Sequence, residues 1–128
     1  MTQYPVVSFP DVTSVVGESK HQLSSKAVLH QVPDAETSLF RVKPGGKIKS
    51  HYHQKVWDLF FGVSGSGEIV FIEDGEERRT PFTNGSFCAM PPNVTHEVRN
   101  LGSEEDLLFI LVHAPWEGYD HVPVRAAE

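Results

Sequence analysis

Residues 45–65, GGKIKSHYHQKVWDLFFGVSG, hold two histidines one residue apart and an aspartate five positions after the second. Glycines bound the stretch on both sides. In a strand, side chains at i and i+2 share a face and lie roughly 7 Å apart. With KIKSHYH extended, Lys49, His51 and His53 point one way, and Ile48, Ser50 and Tyr52 point the other. His51 and His53 can then reach one ion from one strand. Asp58 lies beyond a possible turn, from which its carboxylate can approach on a neighbouring strand. Imidazole with carboxylate is a ligand set for Zn, Fe, Mn, Co or Ni. The competing reading is a solvated strand whose histidines bind nothing, so the choice depends on what surrounds the pair.

Outward from this stretch, ten glycines and nine prolines are spread along the chain with short apolar runs between them. No long segment repeats with helical period. This punctuation predicts an all-β sandwich or barrel. The expected strands are KAVLHQV, ended by Pro33-Asp34; TSLFRVK, closed by Pro44-Gly45-Gly46; KIKSHYH; WDLFFGV; EIVFIE and EERRT around an Asp74-Gly75 hairpin turn; SFCAM; HEVRN, with His96 and Val98 on one face; and DLLFILVHA, stopped by Pro115. The first 25 residues read as irregular chain or as a short helix over 12–18. No repeat or linker divides the chain, so a single domain over 1–128 is expected, with its core at about 36–114.

Composition narrows the class. Net charge is -6, from 17 acidic and 11 basic residues. Phosphate backbones need a basic face, so nucleic acid is not an expected partner. The start, MTQYPVVSFPDV, has no signal-peptide pattern, and the longest apolar run, LLFILV, is too short to span a bilayer. The lone Cys88 excludes an internal disulfide and suits a reducing compartment, so a soluble cytoplasmic protein is expected. The triplets at Asn84 and Asn93 that match a glycosylation signal are read as chance. WDLFFGV and LLFILV are apolar on both faces. A two-layer sheet needs only one such face, so the N-terminal segment, the C-terminal tail or another subunit must cover the surplus; a homodimer is expected, with the tail as the competing cover.

The spacing Gly45-x5-His51-x-His53-x4-Asp58-x6-Gly65 resembles the first motif of the cupin superfamily, and Gly85-x5-Pro91-x-Asn93-x2-His96-x3-Asn100 resembles the second. The resemblance covers roughly residues 36–114 and implies a double-stranded β-helix, a jelly-roll barrel holding one divalent metal ion. By position, the implied ligands are His51, His53, Asp58 and His96. Two residues depart from the motifs. Asn93 stands where the second motif usually has Gly, and Asn tolerates the left-handed backbone that such a turn requires. Asp58 stands where the first usually has Glu, so its reach is shorter by about 1.5 Å. Either its strand moves inward, or it binds through water, or it supports a site of three histidines.

His113 ends the last long strand on the face of Leu107, Phe109 and Leu111. It is a candidate acid or base near the metal, or a histidine hydrogen-bonded at a strand end. Phe60 shares the face of Asp58 and lines either a substrate pocket or the core. Tyr52 should face away from the metal, and Lys49 should lie at the rim of the histidine face. Cys88 shows no partner base and reads as a structural thiol. Trp116 and Tyr119 read as packing residues that close one end of the barrel or meet a partner. The leading functional expectation is a non-haem metal dioxygenase acting on a small oxygenated or acidic substrate. The alternatives are a redox-neutral metal-dependent isomerase, cyclase or lyase, and a non-catalytic module that binds a small ligand or metal.

Overall fold

Turn residues set where each strand starts and stops. The computed structural model describes residues 17–21, 23–115 and 120–124, and within those residues there are eleven strands and no helix. In chain order they are β1 (Glu18–His21), β2 (Ser24–Val32), β3 (Ala35–Val42), β4 (Lys47–Tyr52), β5 (Trp57–Ser64), β6 (Ser66–Glu73), β7 (Glu76–Thr83), β8 (Phe87–Met90), β9 (His96–Asn100), β10 (Leu107–Ala114) and β11 (Val122–Pro123). Every strand expected from the punctuation is present. β7 continues through Pro81, which an edge strand tolerates because its outer side needs no ladder donor. β1 and β11 were not anticipated. Glu18 opens a strand rather than closing a helix, and the rest of the suggested helix, 12–16, lies outside the described residues. So do Trp116 and Tyr119.

The strands form two antiparallel sheets, ordered β1-β2-β3-β10-β5-β8 and β11-β4-β9-β6-β7. Their inner faces supply one core: Phe40, Val42, Phe60, Ile69, Phe82, Met90, Val98, Leu107, Phe109 and Leu111. Phe60, Phe82 and Phe109 meet with ring centroids 5.6–5.9 Å apart, at separations favourable for aromatic pairs. Along β10 the inward residues run Leu107, Phe109, Leu111 and then His113, and in register on β5 Phe60 faces Leu111 and Asp58 faces His113. The interior therefore changes along its length from aromatic packing to titratable groups.

Two backbone positions hold this arrangement. Gly65 has φ +90, and a Cβ there would lie 2.4 Å from the Asp106 carbonyl oxygen, so the end of the first motif requires glycine. Asn93 adopts φ 65, the left-handed conformation expected of it, and its amide donates to the His53 carbonyl at 2.7 Å. Asp74 and Gly75 both have positive φ and close the β6–β7 hairpin as predicted.

On the outer face of the larger sheet, Trp57, Phe61 and Phe87 remain 41–59% exposed, with the Phe61 and Phe87 rings 5.0 Å apart. The described part of the C-terminal tail does not cover them. β11 lies instead beside β4 at the edge of the other sheet.

Asn100, the last residue of the second motif, joins three segments. Its buried amide donates to the carbonyls of Val42 and Glu105, each at 2.9 Å, and its oxygen accepts from Gly102 at 2.7 Å. Asn100→Ala leaves these groups without their partner and is expected to lower stability by about 3 kcal/mol, read as a reduced urea midpoint with an unchanged slope. A shift within error would show that water satisfies them instead.

Candidate metal centre

Four side chains distant in sequence converge where the aromatic core ends. His51 comes from β4, His53 from just beyond it, Asp58 from the second position of β5, and His96 from the first position of β9. All four are buried, and one donor atom from each lies within 4.8 Å of those of the others. The ladder carries part of this arrangement, since His51 faces His96 across β4 and β9. That ladder slips between Ile48 and His51. Strict alternation is therefore lost, and the expected place of Lys49 beside the histidines is corrected: its side chain is exposed. The Lys49 carbonyl is what serves the site, accepting from His51 Nδ1 at 2.7 Å.

The same device recurs at each imidazole. His96 Nδ1 donates to the Val94 carbonyl at 2.9 Å, and His53 Nδ1 contacts the Asp120 carbonyl. Backbone acceptors on Nδ1 place the proton there and leave Nε2 with its lone pair. Yet His53 Nε2 stands 2.8 Å and His96 Nε2 stands 3.0 Å from the same oxygen, Oδ2 of Asp58. With neutral rings, lone pairs would confront a carboxylate oxygen inside the protein. Positive charge must sit between them, as a proton or as a metal ion. Metal bonds of about 2.0–2.2 Å place neighbouring ligands roughly 3 Å apart, and His53 Nε2 and His96 Nε2 each stand about that far from Asp58 Oδ2. The donor set fits a divalent ion, and the shorter Asp58 reaches its neighbours.

The electrostatics follow from burial and these contacts. Burial works to raise the Asp58 pKa, but hydrogen bonds from His113, His53 and His96 outweigh it and hold the carboxyl well below its usual range. Burial, and then the charge of His96, push His51 down to about 3. At His53 burial also acts downward, but the hydrogen bond and charge of Asp58 win and the pKa rises. Asp120 is driven upward by desolvation and more strongly downward by the amides it accepts from, so its carboxyl lies below the usual value.

The other candidates divide. His113 Nδ1 lies 2.5 Å from Oδ1 of Asp58, and its ring is 5.2 Å from that of His53, so it stands beside the cluster. Phe60 belongs to the core and also meets His96 edge-on at 5.9 Å, forming the floor of the site. Tyr52 is half-buried and pairs with Val122, apart from the cluster. Burial and then the Asp58 charge raise the Cys88 thiol pKa, the opposite of what a nucleophile needs. Two contributors escaped the sequence reading. His121 stacks on His51 at 4.4 Å, and Asp120 supplies the carbonyl to His53. Only the excess of histidines hinted at the first, and nothing in the sequence pointed to a main-chain acceptor.

Comparison with known proteins bears on the family and the fold. The profile of the family described as Cupin domain matches residues 38–113. An oxalate decarboxylase of Arthroderma benhamiae is 28% identical over 74 residues, 57% of this chain and 17% of its own length. Auxin-binding protein 1 of Arabidopsis thaliana is 26% identical over 100 residues, 74% of this chain and 50% of its own length. The chain thus spans half or less of the length of these curated relatives. Among solved structures, a Klebsiella pneumoniae protein with a double-stranded beta-helix domain superposes with a TM-score of 0.76 at 20% identity, covering 96% of this chain and 100% of its own. The Lactobacillus farciminis oxalate decarboxylase formate complex gives a TM-score of 0.74 at 17% identity, over 85% of this chain and 33% of its own. At such identities the structural likeness shows the double-stranded β-helix fold and nothing finer. No helix is long and apolar enough to cross a membrane among the described residues.

In the metal-free protein the His51 ring is expected to stay neutral from pH 6.5 down to about 3. Over that interval the unfolded chain binds the proton and the folded chain does not, so the His51 contribution lowers stability as pH falls. His53 has the opposite sign: its raised pKa favours the folded state below 6.5, and that contribution is lost as pH rises through the folded value. Imidazole chemical shifts followed across this range test the assignment. A His51 ring titrating near 6.5 would contradict the burial argument.

Proposed function

The chain belongs to the cupin domain family, and from that premise we propose that it is a divalent-metal-dependent enzyme acting on a small oxygenated acid. The observation that carries this reading is the set of three imidazoles, each tied through Nδ1 to a main-chain carbonyl, gathered with the buried Asp58 carboxylate. His51, His53, Asp58 and His96 would hold the ion. When bound, it supplies Lewis acidity to substrate oxygens, or redox chemistry if it is iron or manganese.

The chain's own residues do the rest. Asp58 keeps its negative charge and offsets that of the ion. His113, with Nδ1 at Oδ1 of Asp58, is the group placed to hold or pass a proton beside the site. Phe60, backed by Phe82 and Phe109, closes the floor against water. The ligand set suits the dioxygenase chemistry expected from the sequence. Two curated relatives carry the name oxalate decarboxylase, however, and a decarboxylase is a lyase working on a small acid. That name supports the redox-neutral class ahead of the dioxygenase.

Metal analysis of the purified protein is expected to find about one divalent ion per chain and to lose most of it in His53→Ala. Wild-type protein loaded in turn with Mn(II) and Fe(II) would then be offered oxalate and small hydroxy and keto acids, with product and dissolved oxygen followed together. Product without net oxygen uptake supports the redox-neutral reading. Uptake in step with product assigns a dioxygenase. Ligand binding without turnover under any metal assigns a binding module.

The exposed Trp57, Phe61 and Phe87 face supports a homodimer as the occupant of that surface. Sedimentation should find dimers for the wild type and monomers for Phe87→Glu; monomers for both would remove the dimer.

A further inference from the structure

Between His53 and Asp58 the chain turns through Gln54, Lys55 and Val56, outside any strand. The amides of these three residues converge on one carboxylate, that of Asp120. Gln54 donates to Oδ1 at 2.9 Å and Oδ2 at 3.1 Å, Lys55 donates to Oδ2 at 2.7 Å, and Val56 donates to Oδ2 at 3.2 Å. Successive amides turned inward in this way make an anion-binding nest, and here a side chain of the chain itself fills it. The main-chain carbonyl of the same residue meets His53 Nδ1. Residues following it are anchored too: Val122 and Pro123 pair with Tyr52 and His51, and Val124 donates to the Ser50 carbonyl at 3.0 Å.

We propose that Asp120 is a positioning residue for the metal centre, a latch whose carboxylate fixes the turn joining His53 to Asp58 while its carbonyl sets the His53 ring. The proposal rests on the metal reading given above, but the latch has consequences of its own. Two of the four donor side chains flank this turn. Without the latch its amides turn to water, and the separation of His53 from Asp58 is no longer held. An ion then has to order the turn as it binds, and affinity falls. Loss of an outer partner of a metal ligand typically weakens metal binding by about 10–100-fold. Asn at this position keeps an acceptor oxygen without the charge, so Asp120→Asn should fall between wild type and Asp120→Ala.

The test uses the full chain and Co(II) as a spectroscopic probe. Wild type, Asp120→Asn and Asp120→Ala are titrated with Co(II), and amide hydrogen exchange at residues 54–56 is measured in the metal-free proteins. Expected are a Co(II) affinity at least about tenfold weaker in Asp120→Ala, an altered Co(II) absorption band, partial recovery in Asp120→Asn, and lost protection of the three amides. A purely structural role would lower the thermal midpoint while leaving the band and affinity of the folded fraction as in wild type, and that result would overturn the proposal. Wild-type exchange rates in Asp120→Ala would overturn it as well. If wild type itself binds no Co(II), the metal reading falls, and amide protection alone still decides whether Asp120 pins the turn.

Discussion

A carboxylate with none of its residue surface exposed governs this molecule. Asp58 is fully buried, and an isolated charge in such a place is very costly. It is retained because three imidazoles surround it: those of His53 and His96 at Oδ2 and that of His113 at Oδ1. These partners come from β9, from β10 in the other sheet and from the residue just beyond β4, so the charge is satisfied only when the barrel has closed. The same contacts explain the shape of the interior. Aromatic side chains fill one end, and Phe60 marks the boundary by touching Phe82 and Phe109 on one side and His96 on the other. Removal of any one partner would leave charge or lone pairs in a low-dielectric space with nothing to oppose them.

What makes the cluster fit a metal ion, rather than merely a buried ion pair, is the other nitrogen of each ring. Carbonyls of Lys49, Val94 and Asp120 take up Nδ1 and so direct Nε2 inward. Two of these carbonyls belong to residues two positions before the histidine they serve, so local backbone shape orients the ring. The third comes from the C-terminal segment, which reaches back along β4 to find His53. The slip in the β4–β9 ladder has a related effect, since it moves the Lys49 side chain out of the site and its carbonyl in. Small departures from regular strand geometry thus serve the chemistry, as bulges beside functional sites commonly do.

The substitution of Asp for Glu in the first motif shows how far local reasoning reaches. A side chain one methylene shorter should fall short unless its strand moves inward or another group bridges the gap. In the folded protein β5 sits between β10 and β8, with Asp58 opposite both His113 and Met90, and from there the short carboxylate lies within 3.0 Å of three imidazoles. Asn93 is the simpler case. Its left-handed φ was readable in advance because the constraint is that of a single residue. The apolar surplus of β5 was readable too, and part of it does stay exposed as Trp57 and Phe61.

Periodicity and punctuation by themselves determined the strands β2 to β10, the hairpin at Asp74-Gly75 and the faces of most inward residues, because alternation and turn preference are local properties of a few neighbouring residues. Resemblance to the two cupin motifs was enough to single out His51, His53, Asp58 and His96; local spacing by itself pointed only to the His51 and His53 pair and the nearby Asp58. Only the tertiary structure decided that His113 would meet Asp58, that His121 would stack on His51, and that Asp120 would hold the turn between two donors. These contacts join residues dozens of positions apart, and several use main-chain atoms whose identity every residue shares. A sequence records side chains in order; it carries no mark for a carbonyl or an amide that becomes a partner only when a distant segment arrives beside it.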